Sequence, residues 1–266
     1  MWRRRGGTSA SRSMKRWWRD SRVLSLSELR LGSFVLRTPA VCGAVTGRDV
    51  REMGRAVARA RKMGADLVEL RADTLEEVQG WHRLVKGDFP IIVTNRPRRE
   101  GGEFRGGERE RVEILQEAIE RHVACVDVEF STPAGLRKRV ISAAKREGVS
   151  VLVSWHDFSK TPAVGALKAR AKKMAAAGGD LVKLVTFANS VVDSIRVLDF
   201  LVEVQEEISV PAVAFAMGEA GRMTRIASLL LGSPFTYASV GRMTAPGQFD
   251  VAETRRLLSR LMPREG

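Results

Sequence analysis

From residue 40 onward the chain repeats one unit, a short apolar run followed by a longer amphipathic stretch, at a spacing of roughly 25 to 30 residues. The apolar runs are, in order, Ala40 to Thr46, Leu67 to Arg71, Pro90 to Asn95, Ala124 to Phe130, Ser150 to Trp155, Leu181 to Thr186, Ala212 to Ala216 and Thr236 to Val240. Between them lie helical patterns such as Val50 to Met63, Glu108 to Arg121, Ala163 to Ala177 and Val191 to Glu207, with Gly64, Gly148 and Gly178-Gly179 placed as helix stops. Eight β-then-α units predict an α/β protein, a single-domain (β/α)8 TIM barrel over residues 38–266. An open doubly wound sheet is the main rival. No Gly-rich dinucleotide fingerprint follows the first strand, where Thr46-Gly47-Arg48-Asp49 leads into the helix. The 266 residues and 44% apolar content suit one such barrel, a fold that runs to about 250 residues as one unit.

The net charge of +14 points toward nucleic acid only until it is located. Residues 1–37 hold ten Lys/Arg against two acids, which leaves +6 for the remaining 229 residues. Residues 1–37 therefore read as a basic N-terminal extension, either a solvated, disordered tail or a partly misassigned start with Met14 as a later candidate. A transit peptide and an RNA-binding tail with Trp2, Trp17 and Trp18 as stackers are the other readings. Residues 29 to 37 are expected to add a small strand or hairpin ahead of the barrel. No continuous apolar stretch follows that could serve as a secretory core or membrane span. Cys42 and Cys125 each sit in an apolar run without metal-ligand spacing, so they read as reduced core residues of a cytoplasmic protein.

The most informative single residue is Lys183, inside the apolar run Leu181-Val182-Lys183-Leu184-Val185. A primary amine in a buried strand is either paired with a carboxylate or held neutral, and a neutral, desolvated lysine is a nucleophile toward carbonyls. Other strand ends carry polar chemistry too: Glu69 and Arg71 end the second run, Arg96 follows the third, Asp127 and Glu129 end the fourth and His156 ends the fifth. Catalytic residues of barrels gather at the C-terminal ends of strands, and these residues obey that geography.

Seven motifs in order give the chain a family likeness: Glu69-Leu70-Arg71-Ala72-Asp73; Thr94-Asn95-Arg96 leading to Glu100-Gly101-Gly102; Asp127-Val128-Glu129; Ser154-Trp155-His156-Asp157-Phe158; Asp180-Leu181-Val182-Lys183; Met217-Gly218-Glu219-Ala220-Gly221 through Thr224-Arg225; and Ala245-Pro246-Gly247-Gln248. With these the chain resembles type I 3-dehydroquinate dehydratase over residues 40 to 262. The resemblance implies dehydration of 3-dehydroquinate to 3-dehydroshikimate, the third step of the shikimate route to aromatic amino acids, with no metal, nucleotide or other cofactor. It implies that Lys183 forms an imine with the substrate ketone, that His156 moves the protons, and that Glu100 orients His156. Burial next to His156, with Arg96 or Arg225 nearby, is expected to lower the lysine pKa.

Substrate binding is expected from Glu69, Arg71, Arg96, Arg225, Thr244 and Gln248, with Arg225 suited to a carboxylate through its bidentate guanidinium. The loop from Gly241 to Gln248 is expected to fold over the pocket and exclude water. Thr244 and Thr224 stand where serine is usual in the family, and each keeps a hydroxyl. Asp127 and Glu129 receive no firm role; they join the catalytic network or serve as structural charges at the barrel floor. His82 and His122 are expected at the surface. The family also implies a homodimer. Two other readings stay open. A class I aldolase-like barrel would share Lys183 but leave the pairing of Glu100 with His156 unexplained. A nucleic-acid-binding protein would need a continuous Lys/Arg face on the barrel, for which +6 gives little support.

Overall fold

The computed structural model describes residues 27–85 and 87–262. Two short strands, β1 (Ser27–Leu31) and β2 (Phe34–Thr38), form an antiparallel hairpin. Eight strands follow: β3 (Ala40–Val45), β4 (Leu67–Arg71), β5 (Ile91–Thr94), β6 (Cys125–Glu129), β7 (Ser150–His156), β8 (Leu181–Phe187), β9 (Ala212–Met217) and β10 (Phe235–Ser239). All eight pair in parallel in the order β10-β3-β4-β5-β6-β7-β8-β9. Each lies within two residues of an apolar run seen in the sequence, because residues covered on both faces must be apolar on both.

The helices outside the barrel are α1 (Val50–Met63), α2 (Glu108–Glu120), α3 (Ala134–Glu147), α4 (Val164–Ala176), α5 (Val191–Val204), α6 (Thr224–Leu230) and α7 (Val251–Leu261). Asp49 caps α1 by accepting from the Glu52 N–H, and Gly64 ends it with φ 93°. Helix α6 packs against both β9 and β10, the two ends of the strand order. The second unit departs from the eightfold expectation. In place of a helix it carries two 3-10 turns, Ala72–Thr74 and Trp81–Val85. Gly80 (φ 80°) and Gly87 (φ 130°) bracket the second of them and leave too short a run between them for a helix.

Side chains alternate across each strand, and the outward set packs with the helices into one apolar cluster. The inward set forms a second cluster containing Cys42, Leu67, Ile92, Cys125, Leu152 and Leu181. Leu29, Leu31 and Leu36 of the hairpin belong to this inner cluster. The hairpin is therefore a plug at the N-terminal mouth of the barrel, fastened where the Gly32 N–H donates to Ser150 Oγ at 2.9 Å. The hairpin meets the expectation of a strand or hairpin over residues 29 to 37. Residues 27–37 are ordered because their leucines complete the barrel floor, and the rest of the expected basic extension falls on residues 1–26, outside the described residues.

Candidate active site

Two residues further along six of the eight strands, on the same inward face, the apolar floor gives way to polar groups. Leu67 is followed by Glu69, Ile92 by Thr94, Cys125 by Asp127, Leu152 by Ser154, Leu181 by Lys183 and Phe235 by Tyr237. Period-two geometry thus raises a polar layer directly on the hydrophobic one. All six are buried.

Lys183 Nζ donates to Asp127 Oδ2 at 2.8 Å, to Tyr237 Oη at 3.2 Å and to Glu69 Oε1 at 3.4 Å, and it lies 4.3 Å from the Tyr237 ring centre. Of the two states the sequence allowed, the structure displays the paired one. Arg96 approaches the same Asp127 oxygen with Nη2 at 2.7 Å, so one carboxylate oxygen is shared by two cations. Arg225, the other cation expected near the lysine, lines the same cavity and donates to the Pro246 carbonyl. Burial alone would push the Asp127 carboxyl up, but Arg96 and Lys183 hold it well below the usual carboxylate range. Glu69 also accepts from Thr94 Oγ1 at 2.9 Å.

The network extends outward. Arg96 Nη1 donates to Glu129 Oε1 at 2.8 Å and to Ser154 Oγ at 2.7 Å. The other Glu129 oxygen accepts from Arg111 Nη1 at 2.5 Å. Arg111, fully buried on α2, spends its remaining donors on the Asn95 carbonyl, Thr132 and Glu108. Asp127 and Glu129 therefore occupy different positions in one network, Asp127 against the lysine and Glu129 between two guanidinia. Arg71 forms a bidentate pair with Asp73, at 2.8 and 2.7 Å, rather than with Glu69. Asp73 also accepts from the backbone of Arg96 and Glu103, which ties the β4 end to the loop after β5.

His156 ends β7, and its Nδ1 lies 3.0 Å from Glu100 Oε2. A carboxylate only accepts, so Nδ1 carries the proton and Nε2 keeps its lone pair. Ser131 Oγ donates to the other Glu100 oxygen, and the His156 N–H donates to Oε2 at 3.1 Å. Burial raises the Glu100 carboxyl, but the hydrogen bonds from His156 and Ser131 outweigh it and leave its pKa below the usual range. Burial, with Arg96 and Lys183 adding their charge, pushes the imidazole down to about 4 despite Glu100. The Gly101-Gly102 pair lets this segment fold closely. A Cβ on Gly102 would lie 1.9 Å from the Arg96 carbonyl oxygen, and one on Gly101, where φ is 76°, would lie 2.2 Å from the Phe158 ring.

Stability should record the imidazole shift. Between about pH 4 and 6.5 an unfolded histidine takes up a proton that folded His156 refuses, so stability falls as pH drops through that window. Denaturant unfolding is expected to give about 2 kcal/mol less stability from this group at pH 5 than at pH 7. A His156→Asn variant is expected to lose that share of the pH dependence, measured over the same range.

Arg225 is 1% exposed on α6, with its guanidinium 4.5 Å from the Phe215 ring centre. Its Nη2 donates to the Pro246 carbonyl at 3.1 Å, while Nε and Nη1 have no partner. Burial pushes its pKa down to about 9. Gln248 Oε1 accepts from the Thr244 and Ala245 N–H groups at 2.7 and 3.2 Å, and its Nε2 donates to Thr244 Oγ1 at 3.0 Å. These bonds fold the loop 241–248 over the cavity edge. Thr224 takes another part: its hydroxyl donates to the Gly221 carbonyl at 2.6 Å and accepts the Ala216 N–H at 2.8 Å, which fixes the turn after β9.

Glu69, Arg71, Arg96, Glu100, His156, Lys183, Arg225, Thr244 and Gln248, the nine residues expected to form the site, all line one cavity of about 470 Å³ that is partly open to solvent. Sequence reasoning missed Tyr237, Phe215, Ser131, Asp73 and Arg111. Tyr237 left a usable signal, being the one tyrosine of the chain and two residues beyond Phe235 on the inward face. His82 and His122 lie away from the cavity, His82 beside Glu117 and His122 exposed with φ 52°. Among the described residues no group of three or more His, Cys, Asp or Glu is arranged to hold a metal ion.

Comparison with known proteins points the same way. A family model described as Type I 3-dehydroquinase matches residues 41–263. The 3-dehydroquinate dehydratase of Methanothermobacter thermautotrophicus is 39% identical over 229 residues, covering 85% of this chain and 98% of that protein. The enzyme of the same name from Methanosarcina barkeri is 36% identical over 244 residues, covering 88% and 99%. The crystal structure of 3-dehydroquinate dehydratase from Geobacillus kaustophilus superposes with a TM-score of 0.83 at 28% identity, covering 91% of this chain and 99% of that one.

Proposed function

The chain belongs to the type I 3-dehydroquinase family, and from that premise we infer how it dehydrates 3-dehydroquinate to 3-dehydroshikimate. The observation that carries the reading is the meeting of a buried lysine, a carboxylate-oriented histidine and a half-unpaired arginine around one cavity. Lys183 attacks the ketone after giving up a proton, and loss of water leaves a protonated imine. Asp127, already against Nζ, is the counter-charge for that cation. The imine draws electrons from the neighbouring carbon, whose proton passes to His156 Nε2. The resulting enamine expels the hydroxyl, which takes the proton from His156 and departs as water. Hydrolysis of the imine then frees product and Lys183.

Glu100 keeps His156 in the tautomer that has Nε2 free, a positioning role. Arg225 accepts the substrate carboxylate on its unpartnered Nε and Nη1, where a neutralising anion relieves the burial of its charge. Glu69, Arg71, Arg96, Thr244 and Gln248 meet the hydroxyls. In cells this activity supplies the third step of the shikimate route, in the cytoplasm and as a homodimer. Two buried free cysteines support the first assignment. Val191, Val192 and Ile195, about 60% exposed on one face of α5, support the second.

The direct test follows appearance of the conjugated enone product by ultraviolet absorbance when the full chain is mixed with 3-dehydroquinate. An enone that accumulates with enzyme-dependent rate supports the reading; a folded protein that gives none overturns it. Arg225→Ala is expected to raise KM by about 10- to 100-fold, the loss of one or two charge-assisted hydrogen bonds, with a smaller change in kcat. Steady-state kinetics on the same assay measures both.

A further inference from the structure

Beside the catalytic cavity lies a larger hollow, about 1430 Å³ and partly open to solvent, that shares Arg71, Gly101 and Thr244 with it as a common wall. Four further arginines line it: Arg48 in the loop after β3, Arg55 and Arg59 on α1, and Arg242 in the loop 241–248. Its carboxylates are Glu52 and Glu103. Glu52 is already engaged, accepting the Arg48 N–H at 2.8 Å and lying 4.0 Å from the Arg48 Nε. Arg71 is matched by Asp73. Arg55, Arg59 and Arg242 have no ion-pair partner among the described residues.

Their placement makes the excess of charge specific. Arg55 and Arg59 are four residues apart on one helix, a like-charge spacing that destabilises a helix on its own. Arg59 Nη1 reaches the start of the loop, 3.3 Å from where a side chain on Gly241, whose φ is 90°, would begin. Arg242 follows immediately. Arg59 of α1 thus lies beside the residue that precedes Arg242, at the point where the loop leaves β10. In a concave wall such charges together attract anions, and guanidinia grip oxyanions through paired donors.

We propose that this hollow is a binding site for a multiply charged oxyanion, a phosphate ester or a polycarboxylate, held between Arg55 and Arg59 of α1 and Arg242 of the loop. The bound anion replaces repulsion across the loop base with two attractive contacts and so ties the loop 241–248, with Thr244 and Gln248, to α1. The site is separate from the Arg225 pocket and does not depend on the dehydratase reading.

The test is isothermal titration of the full chain with inorganic phosphate and, in a parallel arm, citrate, at low ionic strength. Three proteins are compared: wild type, Arg59→Ala/Arg242→Ala and Arg225→Ala, each checked for native circular dichroism. The double variant replaces exposed side chains and leaves the core untouched. The expected result is binding by wild type and Arg225→Ala, weakened by about tenfold or more in the double variant. Preference for phosphate or citrate then tells which oxyanion source the hollow suits. No binding by wild type, equal binding by all three, or loss in Arg225→Ala overturns the proposal. Because the readout is heat of binding, the dehydratase reading can fail without affecting it.

Discussion

Lys183→Ala is expected to leave no borohydride-stable adduct with 3-dehydroquinate and to lower turnover by more than about 10⁴-fold, the scale on which loss of a covalent nucleophile is felt. The wild-type protein, treated alike, is expected to gain one ligand-sized mass on the peptide containing Lys183, found by intact mass measurement and peptide mapping. The substitution also removes a buried cation from between Asp127 and Glu69. Arg96 still neutralises Asp127 at 2.7 Å, so the fold has a remaining partner for this fully buried carboxylate. Circular dichroism on the variant separates lost chemistry from lost structure. A folded Lys183→Ala protein with normal turnover would sink the imine mechanism.

His156→Ala divides the reaction at a different point. The imine requires Lys183 and the ketone, so the variant is expected to form the adduct, while proton removal beside the imine slows by about 10² to 10⁴-fold, the usual contribution of a positioned general base. Trapping and turnover measured on one preparation give the contrast directly. If the variant neither traps nor turns over, the histidine serves to build the site rather than to move protons. The variant also vacates the Nδ1 contact to Glu100, leaving that carboxylate to Ser131 and the backbone N–H of residue 156.

The strands were legible because parallel strands covered on both faces must be apolar almost throughout, and period two then told which residues share a face with Lys183. Across the barrel, sequence says less. Lys183 meets Asp127 and Glu69 over separations of 56 and 114 residues, and nothing in a single run reveals which inward side chains touch. That is why the lysine could be described as either paired or neutral, and why the pairing of Arg71 with Asp73 went unseen. Arg111 escaped for a related reason. It stands in Glu108-Arg109-Glu110-Arg111, which reads as a solvated helix start, yet it points inward to Glu129. The missing helix of the second unit was hidden because its glycines act through backbone angles that composition only hints at.

The hairpin at the base of the barrel bears on electrostatics as well as packing. The matched family segment begins at residue 41, so a chain shortened to that segment would lack Ser27–Thr38 and with it three leucines under the inner floor. The layer carrying Lys183, Asp127, Glu69 and Arg96 rests one side-chain layer above those leucines. Water admitted from below would raise the local dielectric and weaken every charge contact in that layer. A segment that touches none of the reacting groups thus serves as their insulation.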